Sequence, residues 1–568
     1  MLSFMRIVLA TLHSKYIHPS LALPLLAAFC GKSCETLVIR EFTVHEPKEQ
    51  VLAALLAEEP DVAAFSVYLW NRRQTLDLVD ALAVVRPELR IVLGGPEVSF
   101  DGPELLQRHS GISALVRGEG ELPFRDLLRC WRQGRPPAET PRLTWRHGER
   151  ICENPDGPVL ADLDDIPSPF ELDLVDTNRG FVYTETSRGC PYRCSFCMSS
   201  LDPQVRSYSL PRIEKDLQLL MDRRIGQIKL VDRTFNYDAE RARHIFDFIL
   251  RHNRTSRFHF EIGGHLLDDK TLTLLEEVPP GMFQFEIGVQ STLPDTLRAI
   301  GRPAALEQLE NNVRRLRRRG NIHLHLDLIA GLPGEGIQDF LQSVDRVAAL
   351  HPHHLQLEPV KLLPGSPLQG DAAQLGLRYD PNPPYTVLAT PHLDFRELER
   401  LQGVSRLLDL TSNAGRLTGF LSSLYRACGS LSAGLMKLEA WWRKQGLFRR
   451  LLSQRELFEQ IWQFTDGAFS GQLRENLRED LGRDLAGIER IPPEQAPSFI
   501  DTRLTIEEER KTREKVRHIT GAVKGRGIKV QHFAAVFSHL PEFEKRQVIL
   551  FVYLTRPGQA MQVRQFPL

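Results

Sequence analysis

Over the first 135 residues, short apolar runs alternate with amphipathic stretches. The runs RIVLA (6–10), TLVIR (36–40), DVAAFSVY (61–68), RIVLGG (90–95) and ALVRG (114–118) each last five to eight residues. Between them lie stretches with helical spacing, such as KEQVLAALLAEE and TLDLVDALAVVRPE. Strands this apolar, separated by helices, predict a parallel sheet covered on both faces, a five-stranded doubly wound domain over residues 1–135. Ligands of such folds sit beyond the carboxyl ends of the strands. The candidate loops are therefore TLHSKYIHPS, SVYLWN, LGGPEVSFD and RGEGELPF.

Residues 136–175 carry RPPAETPR, NPDGP and IPSPF, a proline-rich stretch that reads as an interdomain linker. A second βα series follows over residues 176–375. Its strands read FVYTET (181–186), QIKLVD (227–232), FHFEIG (258–263), FQFEIGVQ (283–290), IHLHLDLIAG (322–331) and HHLQLEPV (353–360). Six such units without hairpin signals predict a curved, partly closed parallel barrel. Polar residues recur at the strand ends: Glu185, Asp232, Glu261, Glu286, Gln290 and Asp327. In parallel barrels that rim is where chemistry happens. Residues 376–568 change pattern to mostly helical periodicity, with two strand-like runs near the end, IKVQHFAAVF and RQVILFVYL.

At 568 residues the chain exceeds one hydrophobic core, which predicts about three domains. Lys plus Arg and Asp plus Glu both number 72, so no whole-protein field recruits nucleic acid or an anionic membrane. The basic stretch ERKTREKVRH includes acids and reads as a solvated helix face, so a nucleic-acid partner is not expected. The apolar run Ile7 to Leu12 is short and is followed by HSKYIHPS, which suits a first strand better than a signal peptide. No run of about 18 to 20 apolar residues predicts a membrane span. A cytoplasmic protein is expected, in which clustered thiols bind metal or do chemistry more often than they form disulfides.

Five of the eight cysteines, Cys30, Cys34, Cys130, Cys152 and Cys428, are scattered and read as small apolar residues. Cys190, Cys194 and Cys197 stand together in TETSRGCPYRCSFC, on a loop after a barrel strand. Structural zinc wants a fourth ligand, and a catalytic zinc on three cysteines at these spacings would be unusual. Three thiolates fit three corners of a cubane iron–sulfur cluster and leave one iron open.

CPYRCSFC, with Phe196 before the last cysteine, resembles the signature of the radical S-adenosylmethionine (SAM) family. The resemblance implies a [4Fe-4S] cluster on these cysteines, with SAM chelating the open iron. An electron from the cluster then cleaves SAM to methionine and a 5′-deoxyadenosyl radical. A reductant such as flavodoxin or ferredoxin is implied as a partner. Phe196 would meet the adenine. LVDRTF makes Asp232 and Arg233 candidates for the SAM amino group. FEIGVQS offers Glu286, Gln290 and Ser291 for the ribose and carboxylate. DLIAGLPGE resembles the family's glycine-rich stretch beside adenine, with Asp327, Gly331 and Gly334. For each carboxylate the competing role is a structural salt bridge or helix cap.

A doubly wound domain before this barrel, with VLGGPEVS and VRGEGE, resembles the cobalamin-binding branch of the same family. The region after residue 376 resembles an uncharacterised extension found in some members. Ser66, Gly94, Gly95 and Glu119 are the candidate cobalamin contacts. The motif Asp-x-His-x-x-Gly is absent after the first strand, where His13 and His18 stand instead. The corrinoid then binds without a protein histidine on cobalt, or His13 or His18 ligates it, or the domain has lost it and only shapes the site.

With both cofactors, the resemblance implies methylation of an unactivated carbon. Radical cyclisation, rearrangement or oxidation without methyl transfer is the alternative. RNA methylthiolation would call for further cluster cysteines, and Cys30 and Cys34 lack their spacing. A cobalamin- or redox-sensing interaction protein is the non-enzymatic alternative, and it has no need for a SAM cleft. No motif of the C-terminal region points to a peptide, lipid, tetrapyrrole or nucleic-acid substrate, and none bears on oligomeric state.

Overall fold

The structure is a computed structural model that describes residues 5–15, 18–31, 36–303, 305–522, 528–540, 543 and 545–568. Tyr16 and Ile17 of the first candidate loop, and Cys34, lie outside the described residues. The chain forms two compact units. One comprises Met1–Glu335 and Pro359–Asp394, the other Gly336–Glu358 and Phe395–Leu568.

The first unit holds two large sheets. Strands β1 (Arg6–His13), β2 (Thr36–Thr43), β3 (Val62–Ser66), β4 (Arg90–Gly94) and β5 (Ile112–Val116) are parallel, as the apolar runs predict. Strands β6 (Leu143–His147) and β7 (Arg150–Glu153) extend the sheet antiparallel, in the order β2-β1-β3-β4-β5-β6-β7. The sheet is thus mixed and seven-stranded, not five-stranded, and part of the stretch read as a linker is a hairpin. Successive side chains of a strand point to opposite faces. Val8, Ala10 and Leu12 join one core with Phe65 and Leu93, while Ile7 and Leu9 join the other with Ala64 and Val92. Full burial of such a side chain contributes roughly 1.5–3 kcal/mol, so both faces are held shut.

The second sheet contains β8 (Phe181–Thr184), β11 (Gln227–Leu230), β12 (Arg257–Glu261), β13 (Phe283–Gln290) and β14 (His323–Ala330). All pair in parallel, in the order β14-β13-β12-β11-β8. Between β8 and β11 a short antiparallel pair forms, β9 (Ser187–Arg188) with β10 (Arg206–Ser207). The remaining expected strand, His354–Pro359, also forms. On the helix side of the strands, Phe260, Phe283 and Phe285 are buried against Phe246 of helix Ala239–His252, and Phe258 is buried against Phe260 and Phe283. The alternate positions, among them Lys229, His259, Glu261, Glu286, His325 and Asp327, point to the concave side, which is polar.

The second unit is mainly helical. Helix Ile337–Ala348 buries Phe340, Leu341, Val344 and Val347 and meets helix Leu431–Lys444, where Ser432 donates to Asp345. The two strand-like runs read near the C-terminus form Lys529–Phe537 and Gln547–Thr555, and a third strand, Gln562–Pro567, joins them in an antiparallel sheet. No helix among the described residues is long and apolar enough to cross a membrane.

Candidate functional site

The β9–β10 pair closes the loop that carries the three cysteines. Gly189, at its start, has φ +87°, and a Cβ there would lie 2.3 Å from the Gln204 carbonyl oxygen, so only glycine fits. The loop is tied down at Cys190, whose N–H donates to the Asp202 carbonyl (3.0 Å), and at Ser195, whose N–H donates to Ile300 (2.9 Å). Cys190, Cys194 and Cys197 line a cavity of about 190 Å³ at the ends of β11 to β14. Phe196, Arg233, Glu261, Glu286, Gln290 and Asp327 share it. Among the described residues, no three His, Cys, Asp or Glu side chains gather closely enough to hold one metal ion. A cubane asks for a different arrangement, because each cysteine takes its own iron.

Two observations fit a thiolate-bound cluster with a polar cosubstrate beside it. Burial pushes the Cys194 thiol up, and Arg302, 3.7 Å from its sulfur, opposes that shift by favouring the charged form. Arg302 is itself fixed by the Gly288 carbonyl. The second is Gln290, whose buried Oε1 has no hydrogen-bond partner among the described residues. The β13–β14 register shifts between Gly288 and Gln290, and Gln290 has φ +70°. A bulge of this kind re-aims a side chain, and the strain at a non-glycine φ points to a functional constraint. Gly288 makes the room, since a Cβ there would meet the Gln290 amide at 2.1 Å.

The carboxylates of the cavity are shifted in opposite directions. A hydrogen bond from His259 holds Glu286 below its ordinary value against burial. Burial raises Asp327, with His325 opposing from 3.1 Å. Burial pushes Glu261 up to about 7, with Arg233 opposing.

Four residues expected at the SAM site lie away from the cavity lining. Asp232 is fully buried and accepts from the Thr186 N–H (3.0 Å) and from the Thr186 and Ser187 hydroxyls (both 2.5 Å), so it holds the β8–β9 turn. Ser291 is buried and donates to Glu335 at 2.8 Å. Gly331 and Gly334, at φ +86° and +81°, turn the chain after β14.

A second cavity, of about 560 Å³, opens at the carboxyl ends of β1, β3, β4 and β5 and reaches β8. Ser66, Gly94, Gly95 and Glu119 all line it, as do His13 and His18. Its inner wall is apolar, with Leu25, Leu26, Val92 and Phe124 beside Ala64. Gly95 has φ +108°, and a Cβ would lie 2.5 Å from the Val67 carbonyl oxygen, so this wall can only be bare backbone. A slot with apolar sides and exposed backbone suits the flat tail of a corrinoid. His13 is held by Glu41 (3.0 Å), and His18 by the Tyr183 hydroxyl (2.9 Å).

Ion pairs back the wall of the second cavity. Arg188 pairs with Glu121 (2.7 Å) and Glu185 (2.8 Å), and Arg206 pairs with Glu119 and Asp202. Burial pushes Glu119 up, but Arg206 and Arg188 outweigh it and hold the carboxylate low. Burial wins at Glu185, which is raised despite Arg188. Sequence reading missed Arg188, Arg206 and Arg302. Only Arg188 carried a signal, its place directly before the cysteine motif.

Comparison with known proteins agrees with this geometry. Residues 6–128 match the B12 binding domain, residues 184–347 the radical SAM superfamily, and residues 373–536 a protein of unknown function, DUF4080. The chain is 28% identical over 353 residues to the cobalamin-dependent radical SAM methyltransferase TokK of Streptomyces tokunonensis, covering 58% of this chain and 51% of that protein. It is 25% identical over 359 residues to the uncharacterized methyltransferase PH0819 of Pyrococcus horikoshii, covering 62% and 77%. The chain thus spans about half the length of the first relative. Among solved structures, the cobalamin-dependent SAM radical enzyme OxsB with aqua-cobalamin bound shares the fold with TM-score 0.62 at 17% identity, covering 87% of this chain and 83% of that one. The radical SAM methyltransferase TsrM from Kitasatospora setae gives 0.55 at 19% identity, covering 70% and 83%. Fold and cysteine loop together define a radical SAM protein. The chain belongs to the cobalamin-binding branch of that family and carries a C-terminal extension of unknown function, DUF4080.

Proposed function

We propose that the chain is a cobalamin-dependent radical SAM enzyme that methylates an unactivated carbon. The observation that carries this reading is the meeting of two cavities at one residue, Arg233, one lined by the three cysteines and the other by the ends of a doubly wound sheet. Bound there, a [4Fe-4S] cluster would supply the electron that cleaves SAM, and cobalamin would carry the methyl group. Cys190, Cys194 and Cys197 would hold the cluster, with Arg302 favouring the thiolate of Cys194. SAM presents an ammonium and two ribose hydroxyls, all donors, and Gln290, Glu286 and Asp327 offer acceptors in the same cavity. Arg233 cannot receive the ammonium, because a guanidinium only donates and carries the same charge. Ser66, Gly94, Gly95 and Glu119 would face the corrinoid. The relatives named as methyltransferases support the choice of reaction.

The test is anaerobic reconstitution with iron, sulfide and cobalamin, reduction by flavodoxin or ferredoxin, and assay of 5′-deoxyadenosine and S-adenosylhomocysteine. Both products are expected. Deoxyadenosine alone would favour rearrangement or oxidation, and neither would count against an enzyme. Cys194→Ala is expected to abolish the cluster absorbance while far-ultraviolet circular dichroism stays unchanged; a retained cluster would sink the assignment.

A further inference from the structure

Arg233 is the only described residue that lines both cavities. Its backbone is pinned on both sides. Asp232 before it is locked by Thr186 and Ser187, and the Thr234 hydroxyl after it lies 3.4 Å from the Cys190 sulfur. Phe235 follows with its N–H on the Glu261 carbonyl (2.9 Å). The Arg233 side chain, by contrast, is exposed and makes no hydrogen bond or ion pair among the described residues. The other arginines of these walls are committed: Arg188 to Glu121 and Glu185, and Arg302 to Gly288 and Cys194. A fixed backbone thus presents, at the junction of the two cavities, a guanidinium whose five donors no described residue engages, with Glu261 feeling its charge but making no hydrogen bond or ion pair to it.

We propose that Arg233 anchors an anionic group, a carboxylate or a phosphate, of the substrate and holds the reacting carbon between the two cofactors. This rests on the function proposed above and deepens it by assigning the substrate a chemical class. A guanidinium pairs with carboxylate or phosphate through two parallel hydrogen bonds, which fixes orientation as well as position. Orientation is the requirement here, since one carbon must face the SAM side for hydrogen removal and the corrinoid side for methyl delivery. Cations and neutral donors are already served by Glu286, Gln290 and Asp327, so an anion is the one ligand charge for which the junction holds a free partner.

The experiment is protection of Arg233 from phenylglyoxal, which modifies uncommitted arginines, followed by peptide mass spectrometry at constant ionic strength. It is run on the protein alone, with cluster and cobalamin, and with cluster, cobalamin and SAM, each with chloride, acetate or inorganic phosphate. With all three cofactors present, Arg233 is expected to react in chloride. Acetate or phosphate at roughly nine times its dissociation constant should slow it about tenfold, because only the unoccupied tenth of the sites then reacts. The stronger arm tells carboxylate from phosphate, and Arg302 should react slowly throughout. Protection by SAM alone would assign Arg233 to the SAM carboxylate, and protection by cobalamin alone to the corrinoid phosphate; either overturns the proposal, as does no protection by any anion. Failure of the functional reading shows separately, as absent cluster or corrinoid absorbance or absent deoxyadenosine. Anion protection in such a protein would mean a site unconnected with radical chemistry and would also overturn the proposal.

Discussion

A single methyl group at Gly95 would share space with the Val67 carbonyl oxygen and meet a φ that L residues avoid. Gly95→Ala is therefore expected to cost about 1–3 kcal/mol and to weaken cobalamin retention, read by denaturant titration and by the absorbance of bound corrinoid. An unchanged midpoint with full retention would show that the wall can move. Arg188 makes a different kind of demand. Removing it leaves Glu121 and Glu185 buried without their cation, so Arg188→Met should destabilise by about 3–5 kcal/mol. The cysteine trio was legible in the sequence because its spacing is local. Gln290 was legible as a motif position, but its aim depends on a bulge that no spacing reveals. The Arg206–Glu119 pair spans 87 residues and had no sequence signal at all.

Elements followed their periodicity where the apolar stretches were long. The hairpin β6–β7 escaped because LTWRH and RICE are short and sit among prolines, whose punctuation outweighed five alternating residues. Helix Thr418–Cys428 shows what periodicity omits at a helix end. Asp484 accepts from the N–H groups of Gly419 (3.1 Å) and Phe420 (2.8 Å) in its first turn. Burial nevertheless raises Asp484 from 3.8 to about 6, with Asp480 adding to the shift. An acid whose folded pKa is raised binds its proton more tightly when folded. Its destabilising effect is absent below pH 4, grows between pH 4 and 6, and is complete above, at about 3 kcal/mol. Asp484→Asn removes the titration, so the fall in thermal midpoint between pH 4.5 and pH 7.5 should be smaller in the variant. An equal fall in both proteins would place the pH dependence elsewhere.

At the scale of the whole chain, the second unit draws on two separated segments. Helix Ile337–Ala348 lies, but for its last residue, within the span matched to the radical SAM superfamily, yet it belongs to the same unit as residues 395–568. Cutting the chain after Asp394 would strip helix Leu431–Lys444 and the Ser432–Asp345 bonds from it. The truncated protein is expected to bind a hydrophobic dye and aggregate, measured by fluorescence and size-exclusion chromatography. A monodisperse, dye-silent product would show that this helix does not need that cover.

The sequence by itself determined the two βα series, the three clustered cysteines and the family resemblance. Each follows from residues within a few positions of one another, where backbone geometry sets a period of 2.0 or 3.6. Packing set the direction in which each carboxylate's pKa moves, which candidate residues line a cavity, and that Arg233 stands where the two cavities meet. Those outcomes depend on burial and on partners tens to hundreds of residues away, which only packing brings together.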